Sequence, residues 1–386
     1  MEKHLTWTEI DLNAYAHNIR ELRRLTRPEA RLMAVVKANG YGHGAAAVAR
    51  TALQNGAACL GVARMHEAVD LRKAGLEAPI LIFGYTPPDS AQTLMEYELT
   101  QAVYALQTAR ALSGQAARLG KKIKVHIKVD SGMGRLGLLL DRPSGATAHG
   151  NAAAQTLRDI EAISRLDGLE VEGIFTHFAT ADSADKSYAD RQLERFVDFI
   201  GRLDRAGLMP PLRHAANSGA LIDMPNSHLD MVRPGIATYG LYPSAEVNKS
   251  NVTLQPAMTL KSRIIQIKKV PADFPVSYGI TYRTPKPTTI ATVPVGYADG
   301  FNRLLSSSGQ MLVHGQRVPV VGRVCMDLTM LDVGALKEVK IEDEVVVFGR
   351  QGEQSIAVDQ IAASLNTINY EIVTSIGGRV PRVYLD

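Results

Sequence analysis

The chain has 386 residues, 46% of them hydrophobic and 21% charged, with 43 Lys and Arg set against 39 Asp and Glu. Such a composition describes a globular chain with room for more than one domain and excludes a disordered or fibrous one. The net charge of +4 is spread along the sequence, so neither a nucleic-acid surface nor a membrane partner is expected.

The opening stretch "MEKHLTWTEIDLNAYAHNIR" lacks the apolar run of a signal peptide. No later stretch reaches the roughly 18 uninterrupted apolar residues of a membrane span. Cys59 and Cys325, far apart in sequence, suit a reducing compartment, and the cytoplasm is the expected location. Up to about residue 240, β-branched runs alternate with Ala/Leu/Glu/Arg segments. The runs are "RLMAVVKAN", "AACLGVA", "PILIFG", "QAVYA", "IKVHIKVD", "LEVEGIFTHF", "LRHAANS" and "LDMVRPG". Among the intervening segments, the one from Ser187 places Leu193, Phe196, Val197, Ile200 and Leu203 at helical spacing. Strands alternating with helices in this way predict an α/β fold, a (β/α)8 barrel of the TIM type. A doubly wound open sheet is the alternative, although no G-x-G-x-x-G follows the first strand.

Beyond "YPSAEVNKSN", which reads as a linker, the pattern changes to Val/Ile/Thr-rich runs broken by Gly, Pro and Asp, with no helix before "VDQIAASLN". A C-terminal, mostly β domain is predicted. The expected division is residues 1–245 for the barrel and 246–386 for the β domain, with the first ten or so residues packing on the latter.

Barrel enzymes carry their chemistry at the C-terminal ends of the strands. The polar residues there are Lys37 and Tyr41, Lys128 and Asp130 with Arg135 beyond, His177, Asn217 with Ser218, and Arg233. In "AVVKANGYGHG" a buried strand runs into a lysine followed by a glycine-rich loop. Desolvation at such a rim lowers an amine pKa and frees the amine to attack a carbonyl. "HAANSG" and "VRPGIATYG" offer backbone N–H groups, at Gly235 and Ile236 among others, for a phosphate. A carbonyl-seeking Lys beside a phosphate cradle suits pyridoxal 5′-phosphate (PLP) held as a Schiff base. The histidines show neither H-x-x-H nor a C-x-x-C partner, so no metal is called for.

At this point the chain resembles bacterial alanine racemase, a fold-type III PLP enzyme, over essentially its full length. The resemblance rests on "AVVKANGYGHG", "IKVDSGMGRLG", "GIFTHFATAD", "HAANSGA", "VRPGIATYGLYP", "VSYGITYR", "PVGYADG", "VGRVCMD" and "RVPRVY", in the family's order. It implies a homodimer in which one subunit's barrel and the partner's β domain share each active site. Lys37 then resembles the Schiff-base lysine and the base on one face of the substrate, and Tyr278 the opposing base from the partner. Arg233 is similar to the residue facing the pyridine nitrogen, with His177 behind it, and Arg135 to the arginine near the phenolic oxygen. Tyr41, Ser218, Gly235 and Ile236, with Asn217 beside them, match the family's phosphate contacts. Met326 matches the substrate-carboxylate contact, Tyr297 the entrance, and Lys128 a lysine that is carbamylated in some members.

The resemblance implies racemisation of alanine by two-base α-proton transfer, supplying D-alanine for peptidoglycan. It departs in one place. Where the family reads "SYRVPR", this chain reads "SIGGRVPR", with Gly378 in place of the Tyr. A broader or serine-preferring racemase is therefore an alternative. A decarboxylase on the same plan would want a protonated pyridine, which Arg233 opposes. A non-catalytic PLP carrier, the alternative from another class, would resemble the barrel half alone.

Overall fold

The structure is a computed structural model and describes residues 4–140 and 152–386. It divides into two units: the described residues of Tyr15–Gly40 and Ala45–Gln255 form one, and those of Met1–Ala14, Tyr41–Gly44 and Pro256–Asp386 the other.

In the first unit the β-branched runs become parallel strands Arg31–Val35, Cys59–Val62, Ile80–Ile82, Thr100–Val103, Ile123–Asp130, Leu169–Phe175, Leu212–His214 and Met231–Val232. Each pairs with the next, and Met231–Val232 pairs back onto Arg31 and Leu32. The sheet is thus closed, which excludes the open doubly wound alternative and makes this unit a TIM-type barrel. A two-residue strand, Leu138–Leu139, attaches beside Val129 and Asp130.

Successive side chains point to opposite faces of a strand. In the barrel this lets Met33, Cys59, Leu81, Phe175 and Met231 gather in one buried cluster. Helix Ser187–Arg205 shows how the outer layer is held. Its buried face runs through Gln192, Phe196, Phe199, Ile200 and Leu203. Val197, which the spacing placed on that face, points to solvent, because Phe199 continues the three-and-four stripe in its stead. Each such large apolar side chain stabilises the packing by about 1.5–3 kcal/mol.

The second unit is mostly antiparallel. A seven-stranded sheet runs Gln316–Pro319, Gln310–Val313, Glu344–Gln351, Met258–Arg263, Thr6–Asp11 and Arg382–Leu385, with Gln354–Ile356 on the side of Glu344–Gln351. A three-stranded sheet joins Gln266–Val270, Thr288–Val293 and Thr329–Asp332. Helices Val358–Ser364 and Asn369–Thr374 follow late in the chain. Among the described residues, no helix is long and apolar enough to cross a membrane.

Candidate active site

Lys37 follows the first barrel strand, and the chain turns sharply after it. Ala38, Asn39, Gly40 and Tyr41 all have left-handed φ values, 53°, 52°, 61° and 49°. A non-glycine residue there costs about 1–2 kcal/mol, so the neighbours must hold it. Gly40 N–H donates to the Val36 carbonyl at 2.9 Å. Ala38 N–H donates to Glu67 Oε1 at 2.5 Å, and Ala45 N–H to Asn39 Oδ1 at 3.0 Å. The other Glu67 oxygen accepts from Ala63 and Arg64, tying the turn to the neighbouring strand end. A Cβ on Gly40 would lie 2.8 Å from Val48 Cγ2, so the turn needs glycine there. The Lys37 amine is pushed below the ordinary lysine range by burial and then by Arg135, against the pull of Glu67.

The loop after Ile123–Asp130 is wound around one carboxylate. Asp130 accepts from the backbone N–H groups of Gly132, Met133, Gly134 and Arg135 at 2.7–3.2 Å, fixing the segment that carries Arg135. Lys128, two residues earlier on the same strand face, is buried with its amine 5.6 Å from the centre of the Phe175 ring. Burial first, then the charges of Arg135 and Arg233, bring that amine down to about 8.

Arg233 is buried at the end of the last barrel strand. Its Nη2 donates to the carbonyls of Thr176 and Ala215 at 2.8 and 3.0 Å, and Nη1 donates to His214 Nδ1 at 2.9 Å. Its guanidinium lies 5.3 Å from the centre of the Phe175 ring, and His177 Nδ1 is 3.4 Å from Nη2. Burial lowers Arg233 to about 9. His177 is held well below the histidine range by burial and then by Arg233, Arg135, Lys128 and Lys37. That list of cations, all felt by one ring, places five of the sequence candidates at one end of the barrel.

Ser218 begins a short helix there. Its hydroxyl oxygen accepts from the N–H groups of Gly235 at 2.9 Å and Ala237 at 3.4 Å. Asn217 Oδ1 accepts from Ala220 N–H at 3.0 Å, so this side chain caps the helix. Ile236 opens the following 3-10 turn.

The remaining candidates lie in the second unit. Tyr41 is buried, its ring 6.1 Å from that of Tyr370. Tyr278 is 73% exposed and sits between Ser277 at φ 67° and Gly279 at φ 71°. Ser277 Oγ donates to the Arg323 carbonyl at 2.7 Å, fastening this turn to the "VGRVCMD" segment. Tyr297 N–H donates to the Cys325 carbonyl at 3.1 Å and Ala298 N–H to the Met326 carbonyl at 3.0 Å. Tyr297 and Met326, on stitched loops, are 42% and 53% exposed.

Sequence reading missed the residues that hold these loops. Arg379 bridges Asp299 through Nε at 2.7 Å and Asp327 through Nη2 at 2.6 Å, clamping the Tyr297 turn to the Met326 loop. Glu67 serves the Lys37 turn in the same way. The nearest signal was the placement of Asp299 and Asp327 inside dense glycine-rich motifs.

Two family models cover most of the chain: "Alanine racemase, N-terminal domain" over residues 10–243 and "Alanine racemase, C-terminal domain" over residues 257–384. Alanine racemase of Desulfosudis oleivorans is 58% identical over 378 residues, covering 98% of this chain and 96% of that one. Alanine racemase of Clostridium difficile 630 superposes with a TM-score of 0.92 at 39% identity, over 100% of this chain and 97% of that one. The Bacillus anthracis alanine racemase with bound L-Ala-P gives 0.91 at 38% identity, over 100% and 96%. With matches running end to end in both sequence and fold, the chain belongs to the alanine racemase family.

Proposed function

We propose that this chain interconverts L- and D-alanine in the cytoplasm as a PLP-dependent homodimer, supplying D-alanine for peptidoglycan. Residues 1–245, apart from the first ten or so that go with the β domain, form the cofactor-binding barrel in this reading, and residues 246–386 reach the partner's site. The observation that carries it is the Lys37 turn: a strained, glycine-requiring backbone presents an amine whose pKa is lowered by burial and then by Arg135.

The residues present fit PLP, which the family uses. Lys37 would hold its aldehyde, Arg233 would face its ring nitrogen, and Arg135 its phenolic oxygen. Ser218, the N–H groups of Gly235 and Ile236, and Tyr41 would hold its phosphate, with Asn217 fixing the helix start. The Gly235 and Ala237 N–H groups that converge on the Ser218 hydroxyl put backbone donors at this turn, which supports that cradle. Once bound, the cofactor acidifies the substrate's α C–H by drawing its electrons into the pyridine ring. Arg233, lowered by burial to about 9 yet still protonated at neutral pH, would donate to that ring nitrogen and so keep it largely unprotonated.

Two bases on opposite faces are then needed. Lys37 takes or returns the α proton on the D side, and Tyr278 of the partner subunit does so on the L side. The 73% exposure of Tyr278 on a fixed turn supports its reaching another subunit. Met326 meets the substrate carboxylate and Tyr297 lines the entrance. With L-alanine in heavy water, product D-alanine should carry deuterium at the α carbon. Turnover without α-deuterium would overturn the two-base reading, and no conversion would overturn the racemase reading.

Lys128 is the proposed carbamylation site. With its pKa near 8, an appreciable share of this amine is free near neutral pH. The amine nitrogen bonds to the carbon of CO2 and releases a proton, turning a cation into an anion beside Arg135. Enzyme supplied with 13C-bicarbonate should show a carbamate carbon resonance that Lys128→Ala lacks. Identical spectra for the two proteins would contradict the assignment.

Gly378 supports a second reading, a substrate range wider than alanine. A Cβ added there meets no atom within 4 Å, and the residue is outside the left-handed φ range. Arg382 fixes the local path by donating to the carbonyls of Gly42, Ile376 and Gly377 at 3.0, 2.7 and 2.6 Å. Open space at that position supports room for a larger side chain. Bulk alone discriminates by only about 1–3 kcal/mol per methylene even in a fitted pocket. L-serine should turn over measurably, and Gly378→Tyr should lower kcat/KM for serine about tenfold more than for alanine. An unchanged serine-to-alanine ratio would show that residue 378 does not set pocket size.

A further inference from the structure

Two histidines, His126 and His214, are buried in the barrel. His126 Nδ1 and His214 Nε2 are 2.8 Å apart, and His214 Nδ1 is 2.9 Å from Arg233 Nη1. A guanidinium only donates, so His214 Nδ1 must accept. The single proton of neutral His214 is then on Nε2, where it is donated to His126 Nδ1. His126 in turn carries its proton on Nε2. With Arg233 donating at one nitrogen of His214 and His126 accepting at the other, only one arrangement of protons satisfies both contacts.

We propose that His126 is a positioning residue: by accepting from His214, it locks the tautomer that receives Arg233 and so keeps the guanidinium aimed at the cofactor ring. The proposal rests on the Arg233 assignment above for its catalytic consequence, and on the barrel geometry alone for the tautomer.

Several features are arranged around this ring. The register between Ile123–Asp130 and Leu169–Phe175 shifts between Val125 and His126, bringing Gly173 opposite the histidine. A Cβ on Gly173 would come within 2.7 Å of His126 Nδ1 and Cε1, so only glycine leaves room for the imidazole. His214 is stacked on Phe175 with 4.8 Å between centres and 5° between planes, and the His126 ring meets its edge at 64°. Arg233 lies over the same Phe175. Burial, with the Arg233 charge, holds His126 down to about 3 and His214 well below its usual range, so both stay neutral.

His126 also lines a cavity of about 910 Å3 at the far end of the barrel, with Met33, Cys59, Lys124 and Met231. That cavity has room for water to accept the outward Nε2 proton. The line therefore ends in a place where its last donor can be satisfied.

The test uses holoenzyme with 15N-labelled histidine rings, the His214 signals being assigned by their loss in His214→Asn. Wild-type enzyme should show His214 neutral with its proton on Nε2. In His126→Leu the buried Nε2 proton loses its acceptor. That tautomer should become mixed or disappear, and kcat should fall roughly tenfold, the scale of one buried hydrogen bond, while KM stays near the wild-type value. In His126→Asn the amide oxygen stands near the position of Nδ1, and both the tautomer and most of kcat should return. A wild-type His214 protonated on Nδ1 overturns the proposal outright, whether or not any variant folds. A His126→Leu enzyme with wild-type His214 signals and wild-type kcat overturns it as well. A correct tautomer in a protein without racemase activity would instead count against the proposed reaction, so the two failures are distinguishable.

Discussion

Changing Lys37 to Ala is expected to lower racemisation by roughly 10³-fold or more, because the group that would hold the cofactor is also the base on the D side. The visible absorbance of bound PLP should be lost with it, along with any linkage that borohydride can reduce. Unfolding should not be the cause. The amine is held below its ordinary range by burial first and then by Arg135, so its removal relieves a desolvation cost and a like-charge repulsion that together outweigh its attraction to Glu67. The turn itself is held by Glu67, Asn39 and Gly40 through backbone bonds that do not involve the lysine side chain. Thermal unfolding of the variant should therefore begin no lower than in the cofactor-free wild type. A variant that keeps a borohydride-reducible linkage would remove Lys37 from the mechanism.

Tyr278→Phe should be nearly as damaging but asymmetric. Losing a general base costs about 10²–10⁴-fold. Here the loss should fall on proton removal from L-alanine, while Lys37 still exchanges the α proton of D-alanine. The ring is 73% exposed and its turn is fixed by Ser277, so stability should hardly change. Deuterium washed into D-alanine should persist in the variant and deuterium washed into L-alanine should nearly stop. Equal losses for the two enantiomers would contradict the assigned faces.

Much of the barrel was legible because its strands are short apolar runs buried on both faces, with amphipathic helices between them. Closure was not. It depends on Met231 and Val232 meeting Arg31 and Leu32, and two paired residues leave no pattern to read. That the first ten or so residues pack with the β domain was expected, but the register of Thr6–Asp11 against Met258–Arg263 and Arg382–Leu385 was not, because its partners come from far along the chain. At the candidate site, Lys37, Lys128, Arg135, His177 and Arg233 could be named from strand ends and motif order. Their mutual influence came only with the fold. Asp130 was visible as a strand-end carboxylate, though not that it gathers the backbone N–H groups of its loop; Glu67 and Arg379, which bind a turn and clamp two loops, look in sequence like any solvated charge. His126 reads as an alternating residue of a strand, and nothing local reveals that it meets His214.

The central claim, that two subunits each supply one base, is tested most directly by mixing Lys37→Ala and Tyr278→Phe subunits under conditions where dimers exchange. Each mixed dimer would hold one site with both wild-type groups and one with neither. At equal amounts about half the dimers are mixed, so activity should rise from near zero to about a quarter of wild type. Subunits that demonstrably exchange yet remain inactive would contradict the shared site.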